Sequence, residues 1–294
     1  MTHEPGRSGV LLVDKPVGPT SHDVVAVARR ALGIRKVGHT GTLDPFASGL
    51  LVLCYGRATR VAEFLVGLDK SYEAVARLGV ATDSFDHLGE VVSEDDAWVG
   101  VEVESVEQAL DRLRGSQLQV PPSYSAIKVG GTPAHRRVRR GEEVTLEARP
   151  VRIDALELDW LRPPELGLTV VCSSGTYVRS LARDLGEYLG TGCHLTALRR
   201  TRVGALQVES AASLDDLRSG HVPQSARVGW RTALAHIPEF DVSGDQARRL
   251  AMGQTVEHTG PDADVGAIYH ENDLVAMAEV AGGRIKPRKV LVGG

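Results

Sequence analysis

A glycine-rich segment that begins at Val37 and ends at Gly49 constrains the fold of this chain most strongly. The segment contains three glycines and the pair Asp44-Pro45. Because glycine frees the backbone and proline fixes it, this composition suits neither a helix nor a regular strand. We therefore predict a loop over residues 37–49 that presents the carboxylate of Asp44 rigidly.

Apolar patterns predict strands on both sides of this loop. A continuous apolar run is typical of a buried strand, whereas alternation with a period of two residues is typical of a half-buried strand. Residues 72–78 alternate in this way. The predicted strands cover residues 10–13, 50–54, 72–78 and 168–172.

Capping signals predict two helices between these strands. Thr20 and Asp23 resemble a capping box, so a helix is expected to begin there and to end at Gly33. Ser105 is expected to cap a second helix, which ends at Gly115.

A third helix is predicted after residues 173–175, where apolar residues recur at helical spacing. Its first turn contains Tyr177 and Arg179. An arginine in such a place is often a solvated surface residue, but the neighbouring tyrosine favours a role in binding.

The length and composition predict a globular protein of two domains. A chain of 294 residues exceeds the usual size of one domain, and 42% hydrophobic with 24% charged residues is ordinary for a folded protein. From about residue 233 the sequence changes to short strands with glycine-rich turns. We predict a large domain over residues 1–232, with a long excursion rich in Pro, Gly, Ser and Arg at about 121–148, and a small β-rich domain over 233–294.

The sequence lacks the patterns of several protein classes. No apolar run approaches the ~18 residues that span a membrane, and the N-terminus has no signal-peptide pattern, so a cytoplasmic protein is expected. The three cysteines form no CxxC pair, which argues for reduced thiols and against zinc. His39 stands where a phosphate-binding loop would have lysine, and His270-Glu271 lacks a second histidine. We expect no cofactor, no metal and a monomer without a protein partner.

Charge is segregated by sign along the chain. The formal net charge of −4 argues weakly against nucleic acid, because phosphate binding rewards clustered lysine and arginine. Residues 134–141 nevertheless contain four arginines and no acid, whereas acids are concentrated over residues 90–107. The basic segment predicts phosphate contacts by Arg136, Arg137, Arg139 and Arg140.

The sequence GHTGTLDPFASGLL, at residues 38–51, resembles the catalytic-loop signature of the bacterial TruB family of tRNA pseudouridine synthases. Other segments resemble motifs of that family in the same order. They are a lysine-proline motif at residues 14–21, a tyrosine segment at 70–84, the approach to an RNA-gripping insertion at 120–128, an arginine motif at 173–180 and a further pattern at 198–204. Together they span about residues 9–205, which makes chance agreement remote.

This resemblance implies a fold and a reaction. The fold is α+β, a mixed and mainly antiparallel sheet with flanking helices, followed by a small β-rich C-terminal domain of the PUA kind. The reaction is isomerisation of the T-loop uridine at position 55 of tRNA, so the implied partner is the T arm of tRNA. Two departures stand out. His135 occupies an expected tyrosine position, and the sequence after residue 233 matches the family only loosely, which leaves open whether the terminal domain is a true PUA module or a reduced relative of it.

The resemblance also implies roles for individual side chains. Asp44 is the catalytic carboxylate, Arg179 pairs with it, and Tyr72 holds the flipped base against its ring. Whether Asp44 attacks the substrate or removes a sugar proton is left open. Besides the four arginines, the residues expected to bind the substrate are His39, Tyr177, Lys15 and Leu198.

Two other functions compete with this one. A non-catalytic tRNA-binding or tRNA-folding protein on the same scaffold would keep the basic segment without needing Asp44 and Arg179 together. A glycosidase-like hydrolase would also act at an anomeric carbon, but it normally requires two carboxylates. Asp44 is the one strong carboxylate candidate in the sequence, which favours the synthase.

Overall fold

The structure is a computed structural model that describes residues 8–125, 127–138 and 140–291, without the side chain of His135. The described residues form two compact units, and each is discontinuous in sequence. The first unit comprises the residues up to Pro45, Gly49–Gly67 and the residues from Gly204 onward. The second comprises Phe46–Ser48 and Leu68–Val203.

The N-terminal part of the first unit is built around buried antiparallel strands. Its elements are β1 Gly9–Lys15, α1 Ser21–Leu32, β2 Val37–His39, β3 Ser48–Tyr55 and α2 Ala62–Val66. Strand β3 pairs antiparallel with both β1 and β2. Because β1 and β3 consist mainly of aliphatic residues, nearly all their side chains are buried. The strands predicted at residues 10–13 and 50–54 are thereby confirmed.

Helix α1 begins and ends as predicted. The Thr20 side chain accepts a hydrogen bond from the Asp23 N–H, and the Asp23 carboxylate accepts from both the N–H and the hydroxyl of Thr20. These hydrogen bonds from Thr20 lower the pKa of Asp23 below its ordinary value. At the other end Gly33 adopts a left-handed conformation with φ of 66°, which other residues resist.

The predicted loop is shorter than the sequence suggested. Val37–His39 form strand β2, where Val37 is buried and pairs with Tyr55. The loop prediction was wrong at residues 37–39, because this strand is set by long-range pairing rather than by local alternation. It was also wrong at Ser48 and Gly49, which are the first residues of β3 and where Gly49 pairs with Lys15. The loop proper runs from Thr40 to Ala47.

The second unit is built on five antiparallel strands. Its elements are β4 Lys70–Leu78, β5 Val80–Thr82, β6 Val91–Glu94, α3 Val103–Leu113, β7 Gly115–Gln119, β8 Lys128–Val129, β9 Thr132–Pro133, α4 Ala134–Val138, β10 Arg149–Arg162, β11 Glu165–Cys172, α5 Val178–Leu189 and β12 Cys193–Val203. The main strands follow the order β12-β4-β11-β10-β7. Alternate residues of β4 are buried, so the half-buried strand predicted at residues 72–78 is confirmed.

Helix α3 begins earlier than predicted. Its N-cap is Glu102, and Ser105 lies at the third helical position instead of capping. The Ser105 hydroxyl donates to the Glu102 carbonyl and accepts from the Glu102 N–H. Serine can satisfy backbone groups from either place, so its presence alone did not fix the start of the helix.

The first unit ends in a second sheet. Its C-terminal elements are β13 Leu206–Gln207, β14 Ala212–Ser213, α6 Leu214–Arg218, β15 Arg227–Val228, α7 Trp230–Ala233, β16 Glu239–Asp241, α8 Gly244–Ala251, β17 Val256–Glu257, β18 Ala263–His270, β19 Asp273–Ala281 and β20 Arg284–Val290. The strands β16-β18-β19-β20-β17 form the sheet, and its apolar side packs against α8. The composition change near residue 233 corresponds to this sheet.

Three further findings concern the described residues. No helix among them is both long and apolar enough to cross a membrane. They contain no group of three or more His, Cys, Asp or Glu side chains that could hold a metal ion. Cys54, Cys172 and Cys193 are buried and free of disulfides, and burial raises the pKa of the Cys54 thiol to about 12.

Replacing Gly186 by alanine is expected to destabilise the protein. Alanine normally favours a helix over glycine by ~1 kcal/mol. An added Cβ on Gly186 would, however, lie 2.6 Å from Cys193 Cβ and 2.7 Å from the Thr191 carbonyl oxygen. We expect the free energy of unfolding to fall by about 1–3 kcal/mol in a denaturant titration. The exposed neighbour Glu187, changed to alanine, serves as control, and a Gly186→Ala variant as stable as the wild type would contradict the packing described.

Candidate active site

The loop that carries Asp44 is fixed on both sides of that residue. Before it, the N–H of Leu43 donates to Ser21 Oγ at 2.9 Å, and Ser21 Oγ donates to the Leu43 carbonyl at 3.0 Å. After it, the Pro45 carbonyl accepts from the N–H of Gly18 at 2.8 Å. Leu43 is buried, whereas Asp44 is half-buried. The loop therefore presents a partly accessible carboxylate on a rigid backbone.

Lys15 is fully buried beneath this loop. Its ammonium donates to the carbonyls of Pro16 and Pro19, each at 2.9 Å, and to the Pro45 carbonyl at 3.5 Å. These contacts tie the end of β1 to the loop that carries Asp44. The substrate contact expected of Lys15 stays a prediction. In the structure, the ammonium of this lysine holds backbone carbonyls of two segments together.

His39 lies at the end of β2, directly before the loop. Its ring is half-buried and meets the ring of His22 edge to face, with centroids 5.4 Å apart. His22 is exposed in the first turn of α1. The imidazole groups of His22 and His39 therefore lie next to the N-terminal end of the loop.

In the second unit the guanidinium group of Arg179 is buried, with 3% of its side chain exposed. Its Nη1 donates to the Ser84 carbonyl at 2.8 Å and lies 3.2 Å from Asp86 Oδ2. Its Nη2 donates to the Tyr124 carbonyl at 2.9 Å. The contacts hold the planar guanidinium group in one orientation.

Asp86 is a functional candidate that the sequence analysis missed. Its side chain is 7% exposed, and its Oδ1 accepts from Ser84 Oγ at 2.8 Å and from the Leu88 N–H at 3.0 Å. The local signal was present, because Asp and Ser side chains that hydrogen-bond nearby backbone groups are typical of turns. The long-range pairing with Arg179 was not readable from that signal.

Tyr72 and Leu198 lie on neighbouring strands of the second unit. Tyr72 in β4 pairs with Arg200 in β12, and Leu198 pairs with Ala74, so Tyr72 and Leu198 are diagonal neighbours. Tyr72, Leu198 and Arg200 are all buried. The structure therefore brings two predicted substrate-binding residues to one part of the sheet.

A positive charge lies close to this part of the sheet. Lys70 in β4 is buried, and its ammonium donates to the Leu68 carbonyl at 2.5 Å. Burial, together with the positive charge of Arg200, lowers the pKa of Lys70 to about 8. Neither Lys70 nor Arg200 was proposed as a site residue, because their motifs gave no sign of burial.

The basic segment lies partly on α4. Arg136 and Arg140 are exposed, and Arg137 Nε lies 2.6 Å from Oε2 of Glu142, just after the segment, so part of its positive charge is neutralised. Arg139 lies outside the described residues, as does the side chain of His135.

Tyr177 is the N-cap of α5, one residue before the helix that carries Arg179.

Comparison with known families places these features in context. Residues 29–178 match the TruB family pseudouridylate synthase (N terminal domain), and residues 179–229 match the tRNA pseudouridylate synthase B C-terminal domain. The chain belongs to the TruB family. A TruB-family relative from Arthrobacter sp. (strain FB24), described as tRNA pseudouridine synthase B, is 46% identical over 299 residues, which cover 95% of each chain. One from Mycobacterium leprae (strain TN), with the same description, is 44% identical over 96% of this chain and 90% of its own.

Solved structures share the fold of this chain. A Cbf5-Nop10-Gar1 complex contains a chain that is 26% identical, with a TM-score of 0.74, over 97% of this chain and 85% of that one. The archaeal box H/ACA sRNP Nop10-Cbf5 complex gives 25% identity and a TM-score of 0.73, over 98% and 87%. The predicted α+β fold, with its small β-rich C-terminal part, is confirmed.

Breaking the buried pair of Arg179 and Asp86 is expected to destabilise this TruB-family protein strongly. Asp86→Asn removes the charge that faces a buried guanidinium, which typically costs about 3–5 kcal/mol of unfolding free energy. A denaturant titration measures the loss. Asp215→Asn, in the exposed pair with Arg218, is the control and should change stability far less. Equal small effects of both substitutions would show that burial does not strengthen the first pair.

Proposed function

We propose that this chain isomerises the T-loop uridine at position 55 of tRNA to pseudouridine, without a cofactor. The observation that carries the proposal is the rigidly held loop that presents Asp44, in a chain of the TruB family. The near full-length relatives described as tRNA pseudouridine synthase B support the same reaction.

The proposed reaction needs a carboxylate but no redox step. The N1–C1′ bond of uridine breaks, the base turns, a C5–C1′ bond forms, and the hydrogen on C5 leaves as a proton while N1 gains one. An ionised Asp44 serves either as the nucleophile or as the base that removes a sugar proton. Both alternatives remain open in this proposal.

Other side chains are proposed to bind and orient the substrate. The target base must leave its stack to be reached, and the ring of Tyr72 would hold it. The family resemblance assigns Arg179 as the partner that orients Asp44. His39, Tyr177, Lys15 and Leu198 are proposed to contact the nucleotide.

We further propose a cytoplasmic monomer with two domains. The domains would cover residues 1–232 and 233–294, with the insertion at about 121–148 contacting the T arm. The alternative function is a non-catalytic tRNA-binding or tRNA-folding protein, which would bind the same RNA without needing an ionised Asp44.

Tritium release tests the reaction, because formation of the C5–C1′ bond must expel the hydrogen on C5. The substrate is a transcribed tRNA that carries [5-³H]uridine. We expect release by the wild type but none above background by Asp44→Asn, and none from a transcript without the T-loop uridine. Tight tRNA binding without release by the wild type would favour the folding protein instead.

The salt dependence of tRNA binding tests the basic segment. Each neutralised phosphate contributes about −0.7 to −0.9 to the slope of log affinity against log salt. Replacing Arg136, Arg137, Arg139 and Arg140 together should therefore flatten the slope. Arg114→Ala, in an acidic cluster with Glu107 and Asp111, is the control. An unaltered slope in the fourfold variant would leave the arginines as a solvated surface.

A further inference from the structure

Gln119 makes a two-way hydrogen bond with the backbone of Tyr177. It is the last residue of β7, and it is 2% exposed. Its Oε1 accepts from the Tyr177 N–H at 2.8 Å, and its Nε2 donates to the Tyr177 carbonyl at 3.2 Å. Tyr177 is the N-cap of α5 and makes no capping hydrogen bond through its own side chain. The amide of Gln119 thus fixes the backbone where the helix of Arg179 begins.

The residues that follow Gln119 are bound to the same helix. The Val120 carbonyl accepts from Ser180 Oγ at 2.8 Å and from Arg183 Nη1 at 3.5 Å. The Tyr124 carbonyl accepts from Arg179 Nη2. Ser180 is fully buried, whereas Val120 is exposed, so this hydrogen bond is part-buried. We call residues 119–124 the insertion root. It is hydrogen-bonded to the start of α5 through Gln119, Val120 and Tyr124.

The insertion root leads directly into the basic insertion. Residues 128–138 form the β8-β9 hairpin and α4, which carries Arg136 and Arg137. The Tyr124 hydroxyl also donates to Asp83 Oδ2 at 3.1 Å, in the turn that contains Ser84 and Asp86. The N-terminal end of the insertion therefore contacts both the Arg179 guanidinium and the turn that supplies its other acceptors.

We propose that Gln119 is a positioning residue, which couples tRNA held by the insertion to the orientation of Arg179. The inference rests on the proposed function. Gln119 acts through the Tyr177 backbone and does not touch the substrate. Its amide is suited to this task because it supplies a donor and an acceptor to one peptide residue, as a neighbouring strand would. A side chain without either group would leave the start of α5 held less firmly.

Gln119→Leu tests this coupling, and Gln117→Leu is its matched control. Gln117 lies on the same strand, and its amide donates to the Leu113 carbonyl of α3 rather than to α5. Both substitutions remove a partly or fully buried amide of equal size. The measurements are the single-turnover rate of tritium release at saturating tRNA, the affinity for tRNA and the denaturant midpoint.

We expect Gln119→Leu to lower the single-turnover rate at least about tenfold, while the affinity for tRNA stays within about threefold of the wild type. A loss of rate without a loss of affinity is the pattern of a group that acts in the transition state. Gln117→Leu should leave both within about twofold at a similar denaturant midpoint. A purely structural role of Gln119 would lower stability without this difference in rate.

Two results would overturn the inference. One is a rate for Gln119→Leu that equals that of Gln117→Leu, and the other is weakened tRNA binding with an unchanged rate at saturation. If Gln119→Leu does not fold, Ser180→Ala replaces it, since it removes one of the other bonds to the insertion root and should slow the reaction in the same way. No release by the wild type would remove the proposed function, and with it this inference.

Discussion

The buried guanidinium group of Arg179 is the interaction on which the second unit depends. A charged group at 3% exposure is costly unless acceptors surround it. Here the acceptors come from two separate segments, the turn with Ser84 and Asp86 and the insertion root at Tyr124. The hydrogen bonds of this one guanidinium group therefore hold the turn, the start of the insertion and the first turn of α5 in place relative to one another.

The first unit uses a similar arrangement around Lys15. This ammonium is also buried, and its described acceptors are backbone carbonyls of Pro16, Pro19 and Pro45. Backbone oxygens supply these acceptors, so main-chain groups on both sides of the Asp44 loop help to hold this ammonium. The loop gains rigidity from its own main chain, and the Asp44 side chain that it carries is half-buried. Rigid backbone around a reactive group is what preorganised catalysis requires.

Local patterns predicted the elements that depend on local interactions. The Thr20 capping box and Gly33 correctly predicted the start and the end of α1, and the period-two alternation over residues 72–78 correctly predicted β4. Features that depend on distant residues were missed. Strand β2 exists because Val37 pairs with β3, and Asp86 matters because it meets Arg179. Lysine is rarely buried, so the burial of Lys15 was equally hidden. The loop around Asp44 was predicted from its glycines and proline, whereas the catalytic role proposed for Asp44 came from the family resemblance, which composition alone would not have supplied.

The most direct test of this account is the single-turnover rate of tritium release by Arg179→Lys at saturating tRNA, with the unfolding midpoint measured alongside. Lysine keeps the positive charge, but its compact ammonium cannot span acceptors on two segments as the guanidinium does. The account predicts a rate reduced by at least about a hundredfold with tRNA affinity nearly unchanged, because transition-state geometry is lost while binding is kept. A near wild-type rate in a folded Arg179→Lys variant would contradict it, since charge alone would then be sufficient.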